Sequence, residues 1–155
     1  QDLSGSEYLE LVHNLVVGKP VLNLELEIPV QAACRSLITE GIANSAHDCS
    51  DGGLAVALAE LAIRGKSGFQ GDFEPNGRLD AALFGEVQSR IIVSVQPDKL
   101  TLLEKVCDEW NVDWCRLGIA YGDSLTLRSL LHIKVTNLET AWVNALEQAF
   151  TGSLA

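Results

Sequence analysis

Apolar residues recur along the chain at two spacings, about 3.6 residues and 2 residues, and the switches between them divide it into helices and strands. Tyr8, Leu9, Leu11, Val12, Leu15 and Val16 carry the helical period, and Gly18-Lys19-Pro20 stops it. Val21 to Glu27 alternates in a way that suits a strand, but a stronger helical pattern follows. Val30, Ala33, Cys34, Leu37 and Ile38 share one face, Pro29 precedes them and Gly41 closes the run. A helix is therefore predicted from Pro29 to Glu40. Next come a short β-type lead-in, a polar turn and two adjacent glycines, Ser45 to Gly53 in all, which open onto Leu54, Ala57, Leu58, Leu61 and Ala62 at helical spacing. The opposite face holds Ala55, Val56, Ala59 and Ile63, and Glu60 is the only charge before Arg64. Such a helix is expected to be covered on most sides.

Beyond Gly65-Lys66-Ser67-Gly68, Phe69 to Phe73 alternates like a strand, Pro75-Asn76-Gly77 turns the chain and Leu79 to Phe84 predicts a short helix. Ile91 to Val95 is β-branched and nearly continuous, the pattern of a strand buried on both faces. Pro97 opens a helix with Leu100, Leu103, Val106, Cys107 and Trp110 on one face. Asp113 to Tyr121 and Leu130 to Val135 read as strands joined through Gly122-Asp123. In the last helix, capped by Thr136 or Asn137, a buried stripe is expected from Leu138, Ala141, Trp142, Ala145, Leu146 and Phe150. Residues 151–155 read as a frayed tail. This alternation of helices and strands over 155 residues suits one domain, with a sheet carrying helices on one or both faces.

Charge and composition narrow the function classes. The formal net charge of −10, without any cluster of lysine or arginine, removes the electrostatic term that drives nucleic-acid binding. Nucleic acid is not an expected partner. No apolar run approaches the roughly 20 residues of a membrane span, and no basic segment followed by an apolar core opens the chain, so cytoplasm is the expected location. Cys34, Cys49, Cys107 and Cys115 lack metal-ligand spacing and read as reduced thiols.

The chemistry-bearing stretch is the turn His47-Asp48-Cys49-Ser50-Asp51-Gly52-Gly53, and it has two readings. Ser50 or Asp51 can cap the following helix while Gly52 and Gly53 permit a tight turn. Alternatively, the backbone N–H groups at a glycine-rich helix start cradle a phosphate, which beside Asp48 and Asp51 requires a cation such as Mg²⁺ between the charges. His47 stands at the mouth of the turn, either as a ligand group or as one that orients it. Glu86, Gln88 and Arg90 occupy alternate positions before the apolar strand, which puts them on one side of an extended chain, at a solvated edge or in a cleft. His13 and His132 read as surface or packing histidines. The signature motifs of P-loop, Rossmann, zincin and serine-hydrolase proteins are absent.

Ser6-Glu7-Tyr8-Leu9, Gly18-Lys19-Pro20, the long block from Ser45 to Glu60 and Leu83-Phe84-Gly85-Glu86-x-Gln88-Ser89-Arg90 together closely resemble the carboxy-terminal part of the phosphoribosylformylglycinamidine synthases. The resemblance runs through nearly the whole chain in order. It implies an α+β fold, a mixed sheet with helices packed on its faces, of the C-terminal type shared with aminoimidazole ribonucleotide synthetase. Residues 1–155 then form a single domain, with 1–20 a helical lead-in from a preceding domain, 21–150 the core and 151–155 the tail. Also implied are ATP and Mg²⁺ as cofactors of the whole enzyme, and conversion of formylglycinamide ribonucleotide to its amidine with ammonia from a glutaminase subunit or domain. Nucleotide or substrate phosphate would be met by His47, Asp48, Ser50, Asp51, Gly52, Gly53, Glu86 and Gln88. The catalytic histidines and most metal ligands of the family lie in earlier domains, so no catalytic residue is assigned here. Val87 stands where the first half of the family's chain has serine. The other expectations are a non-catalytic assembly module, the matching domain of a sister enzyme such as selenophosphate synthetase, and a weak homodimer formed through the outer face of the central helix and residues 8–17.

Overall fold

The computed structural model describes residues 2–151, and the expected tail beyond Thr151 lies outside them. By their contacts the residues cluster into two compact units, Gln1–Ala57 with Pro75–Cys115, and Leu58–Glu74 with Arg116–Ala155. The fold is α+β, as the sequence implies.

In the first unit, α1 spans Glu7–His13. Its cap Ser6 is buried, accepts the Leu9 N–H through Oγ and donates its own hydroxyl to the Leu3 carbonyl at 2.8 Å. The helix ends sooner than its apolar period suggests, because Asn14 turns into the left-handed region at φ 52° and returns its N–H to Glu10. Residues 11–26 are all exposed. Helix α2, Leu24–Thr39, starts five residues before Pro29, which corrects the predicted boundary. Asn23 caps it by accepting the Glu25 N–H at 3.0 Å. Pro29 is tolerated inside because the carbonyl deprived of its donor is that of Glu25, on a solvent-exposed turn.

Strand β1 (Ala43–Asp48) pairs antiparallel with β3 (Ile91–Val95), His47 opposite Ile92 and Asp48 opposite Ile91. These two strands form a ribbon of their own, covered by α2 and by α5 (Leu100–Trp110), which follows a short 3-10 turn at Pro97–Lys99. Ala33, Leu37, Ile42, Leu103, Val106 and Cys107 make the core there, with Val93 and Val95 packed on it. Strand β3 is thus half-buried and not buried on both faces: its β-branched residues report extended backbone rather than the number of covered faces. Helix α4, Leu79–Phe84, follows the sequence reading and buries Ala81, Ala82 and Leu83. Helix α3 spans Gly53–Gly65, with Gly53–Ala57 in the first unit and its remainder in the second, and its residues 53–63 are buried or half-buried without exception. The apolar second face, Ala55, Val56, Ala59 and Ile63, is therefore covered as its composition predicts, and is not the open contact surface expected of a homodimer.

The second unit holds a four-stranded mixed sheet of order β4-β2-β5-β6, made of β2 (Phe69–Gly71), β4 (Gly118–Ala120), β5 (Ser124–Leu127) and β6 (Leu131–Lys134). Parallel pairing of β2 with β5 and antiparallel pairing elsewhere make it mixed. Strand β5 has no counterpart among the predicted elements, and β4 keeps only three residues of the predicted stretch 113–121. The helix α6, Val135–Thr151, begins directly after β6, where the Val135 N–H bonds the Asp123 carbonyl at 2.9 Å, ahead of the expected cap. Its stripe is not buried: Leu138 is half-covered, while Ala141, Trp142, Ala145, Leu146 and Phe150 are exposed. Amphipathic spacing specifies a face that wants a partner, without requiring that this unit supply it.

Candidate functional site

The site is built at the end of β1, where the ladder continues one residue further as the Cys49 N–H bonds the Arg90 carbonyl at 2.9 Å. The chain then turns on two left-handed glycines, Gly52 at φ 76° and Gly53 at φ 65°, and the Gly53 N–H closes on the Ser50 carbonyl at 2.9 Å. A Cβ on Gly53 would lie 2.6 Å from the Gly85 carbonyl oxygen and 2.9 Å from the Phe84 carbonyl carbon. The turn therefore packs backbone against backbone on the segment after α4.

Around the turn the polar groups are engaged locally. His47 is half-buried and donates from Nδ1 to the Asp48 carbonyl at 2.6 Å, which sets its tautomer. Asp48 and Asp51 are exposed. The Ser50 hydroxyl donates to Asp48 Oδ2, and this bond is the main cause holding the Asp48 carboxyl below its ordinary range. A depressed carboxylate contributes stability above its unfolded pKa and loses that contribution as pH falls through the folded one. Ser50→Ala is accordingly expected to raise the Asp48 titration midpoint, read by carboxyl carbon NMR; an unmoved midpoint would mean that the hydroxyl is not the cause.

Glu86 is brought to the turn, 34 residues away in sequence. Its Oε1 accepts the Gly52 N–H at 2.8 Å and the Glu7 N–H, at the first residue of α1, at 2.9 Å. The alternation expected of Glu86, Gln88 and Arg90 does not hold, because the chain bends at residues 88–89 and Ser89 sits at φ 65°. Gln88 is exposed, while the Arg90 guanidinium turns back to the Gly85 and Ala82 carbonyls, 3.1 Å each. Tyr8 stacks on Phe84 with ring centroids 5.0 Å apart. Sequence reading missed the backbone N–H of Glu7, since no local pattern encodes a partner 79 residues away, and the anchoring role of Arg90, which depends on the chain turning back at Ser89 rather than running extended.

Among the described residues no group of three or more His, Cys, Asp or Glu is placed to hold a metal ion, and no helix is long and apolar enough to cross a membrane. Asp48 accepts from the Ser50 hydroxyl through Oδ2, and Glu86 accepts from two amides through Oε1.

Comparison with known proteins gives a consistent picture. The model of the family described as AIR synthase related protein, C-terminal domain, matches residues 2–128. A phosphoribosylformylglycinamidine synthase subunit PurL from a Synechococcus strain is 56% identical over 153 residues, covering 92% of this chain and 20% of the relative. This chain thus spans about a fifth of the length of the curated relatives it matches. Two solved structures share the fold. Thermotoga maritima PurL complexed with FGAR superposes with a TM-score of 0.63 at 21% identity, covering 79% of this chain and 21% of that one. The same protein complexed with ATP gives 0.64 at 19% identity, covering 89% and 24%.

Proposed function

The chain belongs to the family of AIR synthase related proteins, whose C-terminal domain it matches, and we propose that it serves as the last domain of a phosphoribosylformylglycinamidine synthase. The similarity to subunit PurL along nearly all of this chain carries the reading. In the reaction so assigned, the amide oxygen of formylglycinamide ribonucleotide attacks the γ-phosphorus of ATP and ADP leaves. Ammonia then adds at the activated carbon and phosphate departs, giving the amidine. The difficulty lies in positioning and in charge, both met by a preorganised cleft.

This domain supplies a wall of that cleft. His47, Asp48, Ser50, Asp51, Gly53 and Gln88 form the part nearest a bound nucleotide or substrate phosphate, while Glu86 acts through the turn backbone by holding the Gly52 N–H. The preceding domains of the synthase provide most of the Mg²⁺ ligands, a glutaminase subunit or domain provides ammonia, and the assembly works in the cytoplasm. A second reading, that of a non-catalytic assembly module, is favoured by one observation: the Gly52 N–H is already taken by Glu86. A sister enzyme such as selenophosphate synthetase lacks comparable support.

Two measurements test the proposal. This chain alone, given formylglycinamide ribonucleotide, ATP and ammonia, is expected to form no amidine, and turnover would overturn its assignment as one part of a larger machine. Calorimetry with ATP and Mg²⁺ is expected to register weak binding that Asp51→Ala removes. Absence of heat with the intact chain favours the assembly module.

A further inference from the structure

We propose that Glu86 is a positioning residue, an internal anion that fixes the glycine turn and the start of α1 together and leaves the Gly52 N–H closed to any external phosphate. One carboxylate oxygen receives two backbone donors, from Gly52 at 2.8 Å and Glu7 at 2.9 Å, and these belong to segments 45 residues apart. Hydrogen bonds to an ionised acceptor are roughly twice as strong as neutral ones. A phosphate seeking the Gly52 N–H would have to displace a carboxylate tethered to the same framework, and tethering gives that carboxylate a large effective concentration. The framework is stiff on each side of it. Gly53 is in backbone contact with Phe84 and Gly85, Arg90 clamps the Gly85 and Ala82 carbonyls, and the Tyr8 ring lies on Phe84. Glu86 therefore stands where three separate stretches of chain meet, and its charge serves the amides of the turn where a ligand's charge otherwise would. This goes beyond the proposed function and does not depend on it, since the test below contains no nucleotide.

Amide NMR on the 155-residue chain reads the proposal directly. In the unaltered protein, through-bond couplings from the Gly52 and Glu7 nitrogens to the Glu86 carboxyl carbon are expected, and inorganic phosphate is expected to leave the Gly52 amide unmoved. Glu86→Ala should shift both amide protons upfield and speed their exchange roughly ten- to a hundredfold, the factor for losing charge-assisted bonds. Added acetate, a free carboxylate for the vacated position, should reverse both changes. Glu86→Gln, whose amide oxygen accepts the same two bonds without charge, should fall between Ala and the parent. A residue that merely fills space would give no acetate rescue and no difference between Gln and Ala, and either result overturns the proposal. So does the lack of couplings in the unaltered chain, or a Gly52 amide that phosphate moves; these two readings need no variant to fold.

Discussion

Gly53→Ala is expected to destabilise the first unit by about 2–5 kcal/mol, much of the 5–15 kcal/mol that typically holds a domain together. Two costs add. A residue with a Cβ at φ 65° is in the left-handed region, worth about 1–2 kcal/mol, and the methyl would press to 2.6 Å on the Gly85 carbonyl oxygen. That neighbour is backbone held by the Arg90 clamp, so it cannot rotate away, and overpacking of this kind costs about 1–3 kcal/mol more. Gly41 separates the two costs, because it has the same φ of 65° and, among the described residues, nothing within 4 Å of its would-be Cβ. Gly41→Ala should lose only the conformational part, about 1–2 kcal/mol. Urea unfolding of both variants decides the matter: equal losses would mean that the close approach at Gly53 relaxes freely.

The contrast between these glycines bears on what a sequence can tell. The Asp51-Gly52-Gly53 run announces a tight turn into a helix, and α3 does begin at Gly53. Helical spacing alone also finds α4 and the buried Leu103, Val106 and Cys107 of α5, although Leu100 and Trp110 of the same predicted face are exposed. Which glycine is crowded depends on Phe84 and Gly85, more than thirty residues on, and the Glu86 contact to Gly52 is equally remote. Local periodicity carries no such term. Strand β5 shows a different kind of failure, for Ser124-Leu125-Thr126-Leu127 does alternate and both leucines are buried. Four residues directly after a turn signal were too short a run to separate from it, and only pairing with β2 and β6 makes them a strand. In α2 the difference has the opposite sign: proline favours a helix start, but Asn23 already supplies the cap and the helix begins before Pro29.

Self-association of this chain is expected to strengthen as salt is added. Two apolar surfaces are open. One is the stretch from Leu11 to Ile28, where Leu11 is 79% and Val16 78% exposed. The other is α6, where Trp142 is 55%, Leu146 69% and Phe150 83% exposed. Contiguous surfaces of this sort seek a partner, and burying one large apolar side chain is worth about 1.5–3 kcal/mol. Opposing them is a formal net charge of −10 on every copy. That repulsion acts at long range and is screened beyond about 8 Å at physiological ionic strength, whereas apolar burial is not weakened by salt. The dissociation constant of the dimer should therefore fall between low and high salt, and Leu146→Ser with Phe150→Ser should raise it by about a hundredfold at either. Sedimentation velocity at two salt concentrations measures both effects. A monomer throughout would show that these apolar faces do not drive association, and a dimer that dissociates as salt rises would show that charge pairing governs it.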